Sequence, residues 1–314
     1  ALVLQGGTFN VNSGTLTVNG AAITTTGSQA TVFGTNSTVN FLDGASFDAG
    51  AGAIQVDGSL NLSGTAAIST TGNITLNGTT NMYDTSSLSA TGANVFISGS
   101  IIGNGTITGD TDLLNGASIQ ARSNTDTLVF NDNLDLQGNN SITVLSGVTS
   151  SLIQANTVSD AAGITLNIEL QSLKNDGDSF LIIEDTSGGT TITPSNYTVN
   201  LTSFVIDAAI ALNGNDLEAT FSRTAYPDLD SSVVQQLIPM LTQLEAVRAT
   251  NLTSTELLAL ENLDQADFES AVKQINPSSI ANLSNIAIAS HTNLGSFINK
   301  RMDFMQFGFQ TFSL

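Results

Sequence analysis

Several residue types are missing from this sequence, and each absence narrows what the chain can be. Cysteine does not occur at all, so neither disulfides nor thiolate metal sites are possible. The first 121 residues also lack lysine, arginine, glutamate and proline, and only Pro194 precedes residue 227. Proline removes a backbone N–H that a stacked strand needs, so its scarcity favours strands with neighbours on both sides. No apolar run approaches the ~20 residues that a membrane-spanning helix needs.

Positive charge is scarce along the whole chain. Only 7 lysine and arginine residues stand against 27 aspartates and glutamates, which gives a formal net charge of -20. A protein needs basic surface to neutralise phosphates, so we expect neither nucleic acid nor anionic lipid as a partner. We interpret the negative charge itself as simple solvation.

The first 122 residues contain short apolar bursts between Gly, Asn, Ser and Thr. The bursts alternate as strands of a few residues do, and turn pairs such as Asn77-Gly78 close them, where glycine would take a positive φ. We predict a right-handed parallel β-helix with three-strand coils over residues 1–122, and a β-sandwich is the alternative architecture. The repeat would be about 17 to 21 residues. Its equivalent positions would be Val18, Val39, Val56, Ile74, Val95 and Leu114.

Residues 123–224 have longer strands that are richer in β-branched and aromatic residues. Apolar segments at 210–212 and 217–221 flank Asn213-Gly214-Asn215-Asp216, which is a strong hairpin signal. An open end of parallel strands exposes unpaired N–H and C=O groups. We therefore predict that this region pairs partly antiparallel and caps the coil stack.

After Pro227 the apolar period changes from 2 to 3.6, which predicts an α-helical segment over residues 225–305. Its first apolar stripe, at 233–247, would be kinked or restarted at Pro239. Residues 306–314 return to a strand-like pattern rich in phenylalanine.

Several helix starts can be placed inside this segment. Thr253 and Glu256 have the spacing of a capping box before an apolar run. Asp264 is placed to cap a short helix that follows, and Asn276-Pro277 would open a longer one.

Three motifs carry a resemblance to a known protein family. They are Gly-Asn-Gly-Thr-Ile-Thr-Gly-Asp at 103–110, Asn-Asp-Leu-Glu-Ala-Thr-Phe-Ser-Arg at 215–223, and Ala-Val-Lys-Gln-Ile-Asn-Pro at 271–277. In this order they resemble a late coil, the autochaperone region and the pre-barrel segment of bacterial autotransporter (type V secretion) passenger domains. The resemblance covers roughly residues 100 to 305, and the order of the motifs is more specific than any one of them.

The resemblance implies a function and a set of folding residues. The chain would be a non-enzymatic stalk, on the bacterial cell surface at the outer membrane or secreted, that serves display and adhesion. Its partner would be its own outer-membrane β-barrel translocator, and the tail at 306–314 is a candidate for the start of that barrel. The C-terminal region would promote folding during secretion. The candidates for its folding nucleus are Phe180, Ile182, Leu217, Ala219 and Phe221.

The chain offers few residues for catalysis. Residues 1–121 hold six aspartates and no basic residue. Asp110 and Asp112 have the alternate spacing that a general acid and base could use, but we interpret them as solvated corner residues. The acids lack the glycine-rich nonapeptide of calcium-loaded rolls, and the only histidine, His291, fits a packed or surface position on a helix. We predict no catalytic residue, no metal site and no cofactor.

Other functions stay open at this point. Ladders of Thr, Asn and Ser could meet a host surface, a glycan or a second copy of the chain. A self-assembling extracellular filament or surface-layer subunit is the structural alternative. A polysaccharide-acting β-helix enzyme is disfavoured, because it would need acids paired with a base.

Overall fold

A computed structural model describes residues 1–274, apart from residues 6, 7, 148, 150 and 190. The helix predicted from Asn276-Pro277, His291 and the strand-like tail at 306–314 lie outside the described residues. The chain divides into two compact units. The first unit comprises Ala1–Glu169, Ser179–Leu201 and Ala208–Thr220, and the second comprises Leu170–Asp178, Thr202–Asp207 and Phe221–Leu314, described as far as residue 274.

The described part of the chain is mainly β-structure, with 52% of residues in strands and 15% in helices. Its strands are, in chain order, β1 Leu2–Gln5, β2 Asn10–Asn19, β3 Ala22–Thr26, β4 Thr31–Leu42, β5 Ser46–Asp48, β6 Ile54–Val56, β7 Ser59–Leu62, β8 Ala67–Thr70, β9 Ile74–Leu76, β10 Thr79–Met82, β11 Ser87–Ile97, β12 Ser100–Gly103, β13 Gly105–Leu113, β14 Ser118–Gln120, β15 Thr127–Leu136, β16 Ser141–Ser146, β17 Leu152–Asp160, β18 Ile164–Leu170, β19 Ser179–Asp185, β20 Tyr197–Leu201, β21 Ile206–Asn213 and β22 Asp216–Arg223.

These strands build a parallel β-solenoid of about seven turns, and the strands of successive turns stack on three faces. Face 1 stacks β1, β3, β5, β8, the first parts of β11, β13, β15 and β17, and then β19. Face 2 stacks the first parts of β2 and β4, then β6, β9 and the second parts of β11, β13, β15 and β17. Face 3 stacks the second parts of β2 and β4, then β7, β10, β12, β14, β16, β18 and β20. The predicted parallel β-helix of three-strand coils is confirmed, and its parallel pairing continues past residue 122.

The stacking corrects the predicted repeat. Val39 lies on face 3 and Val56 on face 2, so the six positions expected to be equivalent do not form one column. Stacked partners are separated by 18 residues for Ile101–Ile119 and by 30 residues for Ile153–Ile183. Loops at the corners absorb these differences, because a longer corner leaves the strand register unchanged.

The inward-facing residue of each strand fills the interior of the solenoid. On face 2, for example, Ile54, Ile74 and Val95 lie one above another and are at most 1% exposed. Burying a large apolar side chain of this kind contributes about 1.5–3 kcal/mol. The outward-facing residues between them are mostly Ser, Thr, Asn and Gln, which is why the strands alternate so regularly.

The corner between faces 2 and 3 requires glycine for a reason that the sequence did not indicate. Gly58 and Gly78 do not have a positive φ, contrary to the expectation for the Asn77-Gly78 pair. Instead, a Cβ at Gly78 would lie 1.9 Å from the carbonyl oxygen of Gly58, and one at Gly99 would lie 2.0 Å from that of Gly78. The stacked backbones approach too closely here for any side chain.

The described helices belong to the second unit. They are α1 Ser232–Gln236, α2 Ile238–Thr250, α3 Thr255–Glu261 and α4 Gln265–Gln274. The predicted restart is confirmed, because α1 ends before Leu237 and Pro239 lies in the first turn of α2, where a missing N–H costs nothing. No helix in the described part of the chain is both long enough and apolar enough to cross a membrane.

The caps of α3 and α4 differ in how well the sequence predicted them. Ser254, not Thr253, is the N-cap of α3, and its hydroxyl oxygen accepts the N–H of Leu257 at 3.2 Å. For α4 the expected cap is confirmed, since the Asp264 carboxylate accepts the N–H of Asp267 at 2.9 Å. Each cap satisfies a backbone donor that the first helical turn leaves unpaired.

Candidate folding cap and buried ion network

Antiparallel pairing appears at the C-terminal end of the solenoid. Strand β19 pairs in parallel with β17 on one side and antiparallel with β22 on the other, with Phe180 opposite Ala219. The last strand of face 1 is therefore covered. We call the β19–β22 pair the cap, because it satisfies backbone groups that an open parallel edge would expose.

The residues predicted to nucleate folding are all buried. Leu217 lies opposite Ile183 in the cap, next to the Phe180–Ala219 pair. The exposed fractions are 8% for Phe180, 0% for Ile182, Leu217 and Ala219, and 1% for Phe221. Four of these five residues lie in the first unit and Phe221 lies in the second. Their role as a folding nucleus stays a prediction.

The turn that leads into the cap has the conformation that the hairpin signal predicted. Strands β21 and β22 are separated only by Gly214 and Asn215, and Gly214 has φ +68°. Short turns of this kind favour residues that tolerate positive φ. The side-chain amide of Asn213 donates to the Glu218 carboxylate at 2.9 Å and links the two strands beside the turn.

Inside the second unit Phe221 is held by backbone and side-chain contacts. Its N–H donates to the carbonyl of Asp178 at 2.7 Å, and its carbonyl accepts the N–H of Gly177 at 2.9 Å. The ammonium of Lys174 lies 5.4 Å from the centre of its ring, within the range of a cation–π contact. Burial lowers the pKa of Lys174, and the charge of Asp178 opposes that shift.

A second cluster lies wholly within the second unit. Five side chains from four elements form what we call the ion network: Arg223 of β22, Tyr226 of the 3₁₀ turn Tyr226–Asp228, Glu245 and Arg248 of α2, and Glu261 of α3. Arg223 binds the Glu245 carboxylate through two parallel hydrogen bonds of 2.7 and 2.8 Å. Such bidentate pairs combine charge with fixed geometry.

Glu261 is the centre of the network. Its Oε1 atom accepts hydrogen bonds from Arg248 Nε at 2.6 Å, from the Tyr226 hydroxyl at 2.9 Å and from Arg223 Nε at 3.2 Å. The side chain of Glu261 is 0% exposed, and those of Arg248 and Arg223 are 4% and 8% exposed. Two guanidinium groups thus balance two carboxylates in a desolvated environment, where an unpaired charge would be costly.

The two other guanidinium nitrogens of Arg248 donate hydrogen bonds to the loop that follows β18. Nη1 donates to the Asn175 side chain at 3.1 Å, and Nη2 donates to the Lys174 carbonyl. Arg248 therefore connects α2, the end of α3 and the loop after β18. This arrangement can hold segments that lie far apart in the sequence.

The network shifts the pKa values of its members in ways that follow from these contacts. Burial raises the pKa of Glu245, but the hydrogen bonds from Arg223 and from the Tyr226 N–H outweigh burial and lower it overall. Burial lowers the pKa of Arg223, but the hydrogen bond to Glu245 and the charge of Glu261 raise it overall. Burial, together with the nearby Glu261 charge, raises the pKa of Tyr226. The neighbours thus stabilise the charged forms of Glu245 and Arg223 and the neutral form of Tyr226.

The ion network was not found from the sequence, although one signal points to it. The buried positions of α2 are Leu241, Leu244 and Arg248, spaced as one face of a helix. An arginine at the third position of an apolar stripe indicates a buried cation that needs a carboxylate. The partners themselves lie on other elements, so no local spacing identifies them.

The aspartates weighed as catalytic candidates, Asp110 and Asp112, lie on face 2. Asp110 accepts a hydrogen bond from the side chain of Asn133 at 3.0 Å. Asp112 is in register with Asp135, which accepts a hydrogen bond from the Ser159 hydroxyl at 2.6 Å. Burial and the charges of Asp135 and Asp110 raise the pKa of Asp112. Within the residues that the structure describes, no group of three or more His, Cys, Asp or Glu side chains could hold a metal ion.

The fold and the two clusters define the protein as a parallel β-solenoid with a capped C-terminal end and a helical second unit. Neither the models of known protein families nor the curated protein sequences match this chain.

Proposed function

We propose that this chain is a non-enzymatic, surface-exposed or extracellular stalk: the passenger part of an autotransporter, which serves display and adhesion and whose C-terminal region promotes folding during secretion. Its partners would be its own outer-membrane barrel and a host surface or glycan. The observation that carries the proposal is the order of elements, in which a long parallel solenoid ends in an antiparallel cap and is followed by helices.

The composition of the solenoid supports a role as a stalk. Each turn contacts only its neighbours, so such a structure can be long without needing a larger core. The first 121 residues contain no cysteine and no basic residue, which suits passage through a pore as an unfolded chain. Stability then comes from stacked apolar residues and from backbone ladders instead of disulfides.

The outside of face 3 supports the adhesive part of the proposal. The side-chain amide of Asn81 donates to Asn61 at 2.8 Å, that of Asn61 to Asn40 at 2.7 Å, and that of Asn40 to the Thr17 hydroxyl at 3.1 Å. Beside this row runs a second one of hydroxyl residues, in which Ser59 lies in register with Thr79. Donors and acceptors are repeated at the strand spacing of about 4.8 Å, as a polar partner such as a glycan would require.

The roles that the face 2 acids already have support the non-enzymatic part. Asp110 and Asp135 each accept a hydrogen bond from the next turn of the solenoid. General acid–base chemistry needs a pair of carboxyl groups that are free to face a substrate. Here the carboxylates act as links along the stack.

The proposal is tested on intact bacterial cells that produce the protein. An impermeant carboxyl-reactive label, followed by mass spectrometry of the isolated chain, should modify the aspartates of the solenoid equally before and after lysis. A periplasmic protein of the same cells serves as the control and should be labelled only after lysis. Labelling of the chain only after lysis would contradict display on the surface.

A further inference from the structure

The two units carry very different arrangements of charge. The first unit has 15 aspartates and glutamates and a single basic side chain, Arg122. The second unit pairs two buried arginines with the buried Glu261 and with Glu245, whose side chain is 27% exposed. Acidification removes negative charge from both units, but only in the second unit does that charge pair with buried arginines. We therefore expect the stability of the two units to respond differently to acid.

We propose that the ion network is an acid-released clasp, which keeps the second unit folded at neutral pH and opens it on acidification while the solenoid stays folded.

The connections of the network explain why its loss would open the whole unit. Arg248 bonds to Glu261, 13 residues away, and to Asn175 and the Lys174 carbonyl, 73 and 74 residues away. Arg223 bonds to Glu245, 22 residues away. These bonds join the loop after β18, the end of β22 and helices α2 and α3. The four described helices of the unit are only 5 to 13 residues long, and isolated helices of this length are marginal in water.

Protonation converts the clasp from attractive to repulsive. Arginine keeps its proton at any pH that a protein experiences, so Arg223 and Arg248 stay charged when Glu245 takes up a proton. The Tyr226 hydroxyl is neutral throughout. Two largely buried guanidinium groups would then have lost the Glu245 carboxylate and would have to share the one carboxylate of Glu261, which is an unfavourable arrangement in a folded protein.

The other charged groups around the network act in the same direction. The Lys174 ammonium is a third cation of this region, and the Asp178 carboxylate is the charge that opposes the lowering of its pKa. The Asp176 carboxylate accepts the backbone N–H of Arg223 at 3.4 Å. No group that contacts the network gains negative charge as the pH falls.

The pKa shifts have the signs that this behaviour needs. The pKa of Glu245 is lowered from 4.5, so its stabilising effect is fully present above pH 4.5 and is lost as the pH falls through its value in the folded state. The pKa of Asp112 in the first unit is raised from 3.8, mainly by burial. The folded solenoid therefore binds the Asp112 proton at a higher pH than the unfolded chain does, and it gains stability from Asp112 as the pH falls toward 3.8.

Hydrogen exchange of the full chain, measured by mass spectrometry from pH 7 to pH 3 and corrected for intrinsic rates, tests the clasp. We expect protection in α2 and α3 to fall below pH 4.5, by about tenfold for each unit of pKa shift. Strands β6 to β10 should keep their protection. Glu245→Gln should weaken protection in α2 and α3 at pH 7 and flatten its pH dependence. Asp230→Asn removes an exposed acid of the same unit and should change neither the protection of α2 and α3 at pH 7 nor its pH dependence.

Three results would overturn the proposal. Helices α2 and α3 could keep their protection at pH 3, both units could lose protection at the same pH, or Asp230→Asn could shift the profile as much as Glu245→Gln. If Glu245→Gln does not fold, the pH series on the unmodified chain still decides, because it compares two units of one molecule.

Discussion

Replacing Arg248 by methionine should destabilise the second unit more than any exposed charge change. Methionine retains an apolar stem but removes the donors to Glu261, Asn175 and the Lys174 carbonyl. Removing one partner of a buried ion pair costs about 3–5 kcal/mol, because the other charge is left uncompensated. Arg223 Nε still lies 3.2 Å from Glu261. We therefore expect the free energy of unfolding to fall by about 3 kcal/mol, near the lower end of that range.

Urea unfolding followed by the far-ultraviolet helix signal measures this loss, provided that the slope with urea is unchanged. Arg122→Met is the matched control, because Arg122 is exposed and its guanidinium lies over the Tyr83 ring, 3.5 Å from the centroid. A stacking contact of this kind is worth about 0.5–1 kcal/mol at exposed sites.

A second variant separates loss of the pair from loss of packing. Arg248→Met combined with Glu261→Leu removes both charges, and apolar replacement of a buried pair is often neutral. The double variant should therefore be more stable than Arg248→Met alone. Equal losses for Arg248→Met and Arg122→Met, or additive losses in the double variant, would refute the reasoning about the network.

Two further predictions concern the solenoid and its cap. Gly78→Ala places a Cβ 1.9 Å from the Gly58 carbonyl oxygen and should cost at least 2 kcal/mol of stability, roughly the range of overpacking. Gly116→Ala meets no atom within 4 Å and should cost about 1 kcal/mol because of its φ of +86°. Thermal unfolding compares the stability of the two variants. Phe180→Asp places a charge in the buried cap and should slow refolding at least tenfold, on the order of a 1.4 kcal/mol higher barrier, in stopped-flow circular dichroism. Leu212→Asp, on a side chain that is 43% exposed, should refold at nearly the normal rate. Equal refolding rates for the two aspartate variants would contradict a nucleus at Phe180.

Much of the fold follows from local patterns in the sequence. Alternating apolar residues predict the strands, and the change of period near Pro227 predicts the helices, because both signals depend only on neighbouring residues. The assignment of strands to faces could not be obtained in this way. Val39 and Val56 both belong to short alternating apolar bursts, but Val39 lies on face 3 and Val56 lies on face 2. Gly78 likewise looks like a turn glycine, and only the stacked backbone shows why it is needed.

The residues of the candidate sites also differ in whether local sequence patterns reveal them. The resemblance to the autochaperone region made Phe180 and Leu217 candidates for the folding nucleus, and both side chains are buried. Thr253 and Ser254 are both hydroxyl residues before the same helix, so spacing alone did not select Ser254 as its cap. The ion network depends on contacts across as many as 74 residues, and no periodicity encodes those.

The proposal that folding begins at the C-terminal cap and proceeds along the stack is tested most directly by pulse-labelling hydrogen exchange during refolding of the whole chain. A solenoid can in principle nucleate at any turn, so the order of protection is informative. We predict that amides of β19 and β22 become protected before those of β6 and β9. Protection of β6 and β9 first, or at the same time as the cap, would contradict the proposal.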